Sequence, residues 1–230
     1  MPQNFVIFNS ILPIESLYNG AERVYTMPVD WLYDEEKFKA AYAAVSPSRR
    51  LKVDRMKFQK GKCLSLGAEL LLGHACKEFG VEYGAQTVCE NEYGKPQFQN
   101  SPWHFNLSHS GKRVLCVMGS RPLGCDVQRM GKWDGEIAKR FFHPKENRLI
   151  DACQNEEQKQ RIFYRLWTLK ESFMKCCGLG FHLPLKDFAI TFDNGKILLQ
   201  QDRVAGEYEF FEKSIGEYQY AWCVFVNFKH

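Results

Sequence analysis

Lys170 stands where charge is least expected, in the centre of an apolar helical face. At about 100° per residue, Ile162, Phe163, Leu166, Trp167, Leu169, Phe173 and Met174 fill one broad arc. Lys170 falls in its middle and Glu171 at its edge beside Trp167, while Lys175 shares a face with Glu171 one turn on. A lone lysine would snorkel to water along its aliphatic stem. Next to a glutamate, with a second lysine a turn later, the group reads as a charged cluster facing a site between two layers. Asp126 is equally out of place. Leu123-Gly124-Cys125-Asp126-Val127-Gln128 reads as a buried strand, and alternation puts Asp126 and Gln128 on one face. A buried carboxylate must be paired or bind a metal. Two oxygen-bearing side chains on one face, with a glutamate from elsewhere, offer the hard ligands magnesium takes. An aspartate capping the following loop explains the residue equally well.

Two further segments are weaker signals. In Phe105-Asn106-Leu107-Ser108-His109-Ser110-Gly111 an alternating strand runs into a polar turn. Ser108 beside His109 invites a nucleophile reading, but the Gly-x-Ser-x-Gly elbow is missing and sequence neighbours rarely reach Ser–His geometry. A strand-end cluster holding a ligand phosphate fits better, with ordinary turn chemistry as the plain alternative. Gly94-Lys95-Pro96 alone marks a turn. Arg49, Arg50, Lys52, Arg55, Lys57, Lys60 and Lys62 crowd into fourteen residues. They form either the solvated face of a helix or a phosphate-binding patch, and composition does not choose.

The elements that must position these residues follow from periodicity. A strand is predicted at 5–8, then helices at 34–44, 48–58 and 63–79, with strands at 104–107 and 114–118. A strand at 123–127 follows, then helices at 136–142, 144–152 and 157–176, and strands at 188–192, 208–211 and 220–228. Strand, helices and a block of strands, given twice, predict an α+β chain built from a duplicated unit. The join is placed near Ser120-Arg121-Pro122, giving subdomains 1–120 and 121–230.

Bulk properties exclude more than they assign. A net charge of +4 over 230 residues is small for a nucleic-acid binder, and the basic run holds a single aromatic, Phe58, rather than an interleaved series. No apolar run approaches the roughly 20 residues of a membrane span. The start, Met1-Pro2-Gln3-Asn4-Phe5-Val6-Ile7, lacks the features of a signal peptide, so the cytoplasm is expected. Nine cysteines with no Cys-x-x-Cys pair read as reduced core thiols rather than a zinc site or disulfide frame.

Taken in order, these pieces resemble the Sfp-type 4′-phosphopantetheinyl transferases. The match runs through Gly94-Lys95-Pro96, Phe105 to Gly111, Gly124-Cys125-Asp126-Val127-Gln128 and Trp167-Thr168-Leu169-Lys170-Glu171-Ser172-Phe173-Met174-Lys175. The last resembles the family's W-x-x-K-E-[SA]-x-x-K pattern at every defined position. Ala138-Lys139-Arg140-Phe141-Phe142, Glu146 and Leu183-Pro184-Leu185 also look like family segments, and the similarity extends from about Ser46 to near the C-terminus. The resemblance implies two similar α+β halves related by pseudo-twofold symmetry, with the active site in the cleft between them. It implies transfer of the 4′-phosphopantetheine group of coenzyme A to a serine of an apo acyl or peptidyl carrier protein, releasing 3′,5′-ADP. A monomer is implied as well, because a chain of this length holds both halves of the site.

Site residues follow by the same resemblance. Arg49 and Lys52 match contacts to the 3′-phosphate of coenzyme A, and Ser65 matches a hydroxyl that touches the nucleotide. Lys95, Ser108, His109 and Lys175 match phosphate-binding positions, and Lys170 matches a lysine near the pyrophosphate. Asp126, Gln128 and Glu171 are the implied ligands of magnesium, with manganese as a second candidate. Glu171 is the implied base for the serine proton; Lys175 and His109 supply charge or hydrogen bonds to the phosphates. Gln128 departs from the glutamate of many relatives and brings no negative charge to the metal. Residues 129–140, with Met130, Lys132, Trp133 and Lys139, resemble the carrier-docking region. A non-catalytic binder of coenzyme A or carrier protein is the competing reading.

Overall fold

Four helix starts in this chain are set by side-chain oxygens, those of Asp34, Ser46, Asp134 and Asn155. Asp34 accepts from the Lys37 amide ahead of α1 (Glu35–Ala44), and Ser46 accepts from the Arg49 amide ahead of α2 (Pro47–Asp54), where Pro47 takes the first position. After Phe58 comes α3 (Gln59–Glu78). The helix predicted at 48–58 therefore ends early, at Asp54, and the basic run is shared between two helices and the link joining them. The computed structural model describes residues 12–85 and 88–228; the strand predicted at 5–8 lies outside them.

The chain divides into one unit of Met1–Cys89 with Gln97–Ser120 and another of Glu90–Pro96 with Arg121–His230. In the first, β1 (Glu15–Asn19), β2 (Arg23–Pro28), β5 (His104–Ser110) and β6 (Arg113–Gly119) form an antiparallel sheet in the order β1-β2-β6-β5. Leu66, Leu70 and Leu71 of α3 are buried with Met27, Phe105 and Cys116 in its core. Two short strands, β3 (Val88–Glu90) and β4 (Pro96–Phe98), make a separate ribbon.

The second unit repeats the scheme of one long helix on an antiparallel sheet. Its strands are β7 (Leu123–Arg129), β10 (Glu207–Ile215) and β11 (Tyr218–Asn227), ordered β10-β11-β7. Ahead of the long helix lie α4 (Gly135–Phe141) and α5 (Pro144–Asp151), and β8 (Ala189–Asp193) pairs with β9 (Lys196–Gln200). The long helix, α6 (Glu156–Cys177), begins at the cap Asn155 and ends at Gly178, whose φ of 70° suits a residue without Cβ. Phe163, Leu166, Leu169 and Phe173 turn its apolar arc into the core against Phe188, Ile190, Ala221 and Cys223. Among the described residues no helix is long and apolar enough to cross a membrane. All nine cysteines are free thiols, and burial pushes Cys76 and Cys177 up to about 12.

Lys170 is fully buried in this core. Its Nζ donates to Glu146 Oε1 at 2.7 Å and to the Phe188 carbonyl at 2.7 Å, and lies 4.0 Å over the Phe188 ring. Glu146, equally buried, also accepts from the Ile190 amide at 2.7 Å and the His143 amide at 2.8 Å, the latter closing the capping box of α5. One carboxylate thus joins α5, α6 and β8. Burial pulls the ammonium down to about 8 and pushes the Glu146 carboxyl up, each partly offset by its partner. Removing one member strands the other charge in the core, so Lys170→Met is expected to lose about 3–5 kcal/mol in urea unfolding. Lys170→Met with Glu146→Gln, which removes the stranded charge but keeps an acceptor for the Ile190 or His143 amide, should recover part of that loss; a double variant as unstable as the single one would sink the pairing argument.

Candidate active site

β7 and α6 bring the chemistry of the second unit together. Asp126 is buried on the face of β7 that carries Gly124 and Gln128. Its Oδ1 accepts from Lys175 Nζ at 2.6 Å and its Oδ2 from Gln128 Nε2 at 3.0 Å. Glu171 lies one helical turn before Lys175. Burial pushes the Glu171 carboxyl above its ordinary range, Lys175 opposes this, and the charge of Asp126 adds to it. Burial works against the Lys175 ammonium as well, but Asp126, Cys125 and Glu171 together outweigh it and the net shift is upward. Two carboxylates, an amide and an ammonium therefore form one electrostatic unit.

Glu171 also borders a cavity of about 610 Å³. Trp167, Met174, Leu183 and Leu185 give it an apolar lining, while Arg140 and Lys186 add positive charge. The arrangement suits a ligand with an apolar arm and an anionic end placed against Glu171. On α4, Ile137 and Phe141 are exposed next to Lys139 and Arg140.

In the first unit the structure groups Arg49 with Ser65 and with a residue that motif reading assigned no role. Glu69, 2% exposed on α3, accepts from the Ser46 amide at 2.6 Å and from Arg49 Nε at 2.8 Å. Arg49 Nη1 in turn donates to Ser65 Oγ at 3.3 Å. The signal for Glu69 was there to be read: an acidic residue next to Leu70-Leu71-Leu72 in a buried helix must be paired. Lys52 projects from the same short helix as Arg49 and is exposed. On β5, Ser108 is buried and His109 exposed, as neighbours on opposite faces of a strand.

Lys95 belongs to the second unit, and its side chain turns inward. Nζ donates to the carbonyls of Leu123 at 2.8 Å and Cys176 at 3.3 Å.

The profile of the 4′-phosphopantetheinyl transferase superfamily matches residues 122–223, the span that contains Asp126, Glu171 and Lys175. A 4′-phosphopantetheinyl transferase of Bacillus subtilis is 36% identical over 161 residues, covering 69% of this chain and 71% of its own. The Sfp enzyme of Bacillus subtilis strain 168 is 32% identical over 181 residues, covering 77% and 80%. HetI, a 4′-phosphopantetheinyl transferase of Nostoc, is 30% identical over 176 residues, covering 73% of each. The chain belongs to the Sfp-type 4′-phosphopantetheinyl transferase family.

Proposed function

We propose that this protein transfers the 4′-phosphopantetheine group of coenzyme A to a serine hydroxyl of an apo carrier protein and releases 3′,5′-ADP. The observation that carries the reading is the unit of Asp126, Gln128, Glu171 and Lys175 beside an apolar cavity. The serine oxygen attacks the β-phosphorus, the bond from that phosphorus to the bridging oxygen of the ADP portion breaks, and the serine proton passes to the Glu171 carboxylate. Lys175 supplies positive charge to the phosphates from its place against Asp126. The cavity walled by Trp167, Met174, Leu183 and Leu185 takes the pantetheine arm. Arg49 and Lys52 are assigned to the 3′-phosphate and Ser65 to the nucleotide, with Glu69 holding Arg49 in place. Ser108 and His109 are assigned to the phosphates.

Asp126, Gln128 and Glu171 suit magnesium or manganese. Their donors are hard oxygens, and two carboxylates close enough to raise one of them gain from a cation. Among the described residues no group of three His, Cys, Asp or Glu side chains gathers for a metal, so the set is two carboxylates and the Gln128 amide. When bound, the ion would offset negative charge on the pyrophosphate and on the departing ADP. The carrier would dock on the basic and apolar surface of 129–141, with Lys132, Lys139 and Arg140 meeting an acidic helix. The reading extends to a monomer, with the cytoplasm as its proposed location.

Intact-mass analysis of an apo carrier incubated with this protein, coenzyme A and magnesium tests the reading. The expected result is a gain of one phosphopantetheine with matching 3′,5′-ADP, lost when the metal is chelated. No gain across peptidyl, acyl and aryl carriers, despite tight coenzyme A binding, would move the assignment to a non-catalytic binder.

A further inference from the structure

Helix α6 carries Glu171 and Lys175, and strand β7 carries Asp126. Their alignment depends on how the two backbones are tied. A helix leaves its last four carbonyls without helical partners. In α6 the Met174 carbonyl is taken by the Gly178 amide in the usual way. The Cys176 carbonyl, and that of the capping Gly178, are taken by a segment some eighty residues earlier, 91–95, which belongs to the same unit. Asn91 Nδ2 donates to the Gly178 carbonyl at 2.8 Å, and Lys95 Nζ donates to the Cys176 carbonyl at 3.3 Å.

The segment is built for that purpose. Asn91 Oδ1 accepts from the amides of Tyr93 at 3.0 Å and Lys95 at 2.8 Å. The Gly94 amide closes the turn on the Asn91 carbonyl at 3.0 Å, and Gly94 sits at φ 81°. The Tyr93 ring packs against His182, with centroids 4.9 Å apart. A Cβ added to Gly178 would meet Asn91 Nδ2 at 3.0 Å and Lys95 Cδ at 3.2 Å, so helix end and segment fit closely. The same Lys95 ammonium donates to the Leu123 carbonyl at 2.8 Å, at the first residue of β7. A cation at a helix C-terminus also meets the negative end of the helix dipole. Burial lowers the pKa of this lysine, in keeping with an ammonium enclosed by carbonyls rather than offered to solvent.

We propose that Lys95, seated by Asn91, is a positioning residue that latches the end of α6 to the start of β7 and so sets Glu171 and Lys175 against Asp126. The bridge reaches β7 three residues before Asp126 and α6 one residue after Lys175. The proposal rests on the transfer reading for its effect on rate, but not for its effect on structure.

The test compares Lys95→Met, Lys95→Arg and Asn91→Ala in the full chain, by coenzyme A affinity in calorimetry, kcat and KM for coenzyme A, and amide exchange at residues 174–178. Because misplacement by 1 Å costs about 10²-fold, Lys95→Met is expected to lower kcat by about that factor. Coenzyme A affinity should stay within about twofold, while exchange at the end of α6 rises by about tenfold or more. Lys95→Arg keeps the charge and donors and should restore part of the rate; Asn91→Ala should move the same readouts less. The idea is overturned if Lys95→Met weakens coenzyme A by about tenfold, the size of one lost charged contact, with exchange unchanged. That result would make Lys95 a ligand contact. Should Lys95→Met fail to fold, Asn91→Ala decides by the same measurements. Should the native protein transfer nothing, the functional reading falls, and the exchange rates alone decide the latch.

Discussion

Gly124→Ala is expected to lose about 10²-fold in transfer rate and about 1–3 kcal/mol in stability. A Cβ at this position would lie 2.2 Å from the Cys176 amide nitrogen, 2.2 Å from the Ser172 carbonyl oxygen and 2.7 Å from the Lys175 carbonyl carbon. All three are main-chain atoms of α6, so no side chain can swing aside. Reaching the 3.4 Å of ordinary contact requires helix and strand to part by about 1 Å. The strand has little freedom to yield, because β11 holds it in register from Leu123↔Val224 to Arg129↔Tyr218. The helix must therefore lift, taking Glu171 and Lys175 away from Asp126. Urea unfolding and steady-state transfer measure the two effects separately. A variant with the native rate and lowered stability would show that the spacing of β7 and α6 is not what places the catalytic groups.

Local pattern made much of this unit legible. Alternation in 123–128 put Asp126 and Gln128 on one face, and they hydrogen bond there. Helical periodicity put Lys170 within an apolar arc, and the arc is the buried face of α6. What periodicity could not supply was a partner. The Lys170 charge is met by Glu146, 24 residues away in another helix, and Lys95 is met by backbone carbonyls, which no side-chain pattern advertises. Neither internal partner could be read from the sequence, so the motif alone suggested phosphate positions for both lysines. The short strands β1 and β2 escaped notice because Glu15-Ser16-Leu17-Tyr18-Asn19 has little apolar alternation and Arg23-Val24-Tyr25-Thr26-Met27-Pro28 ends in proline. Of the candidate residues, those placed by one element were easiest to find, and those whose role depends on a distant carboxylate were hardest.

Glu171→Gln should lower kcat by about 10²–10⁴-fold, the usual worth of a positioned base, while leaving coenzyme A affinity near native. The amide keeps the length and shape of the side chain but cannot accept the serine proton. Stability should hold or rise. Burial disfavours the Glu171 carboxylate first, and the charge of Asp126 disfavours it further, so a neutral group removes both costs at the loss of attraction to Lys175. Function lost while the fold is kept or strengthened marks a group held in a strained setting for chemistry rather than for packing. Asp126→Asn should behave differently, because Asp126 accepts from both Lys175 and Gln128 and its replacement removes the carboxylate charge that faces the Lys175 ammonium. That variant should lose stability as well as rate. Thermal unfolding and single-turnover transfer on both variants separate the two roles. If Glu171→Gln unfolds earlier than the native protein and transfers normally, Glu171 is a structural carboxylate and the base must be sought elsewhere.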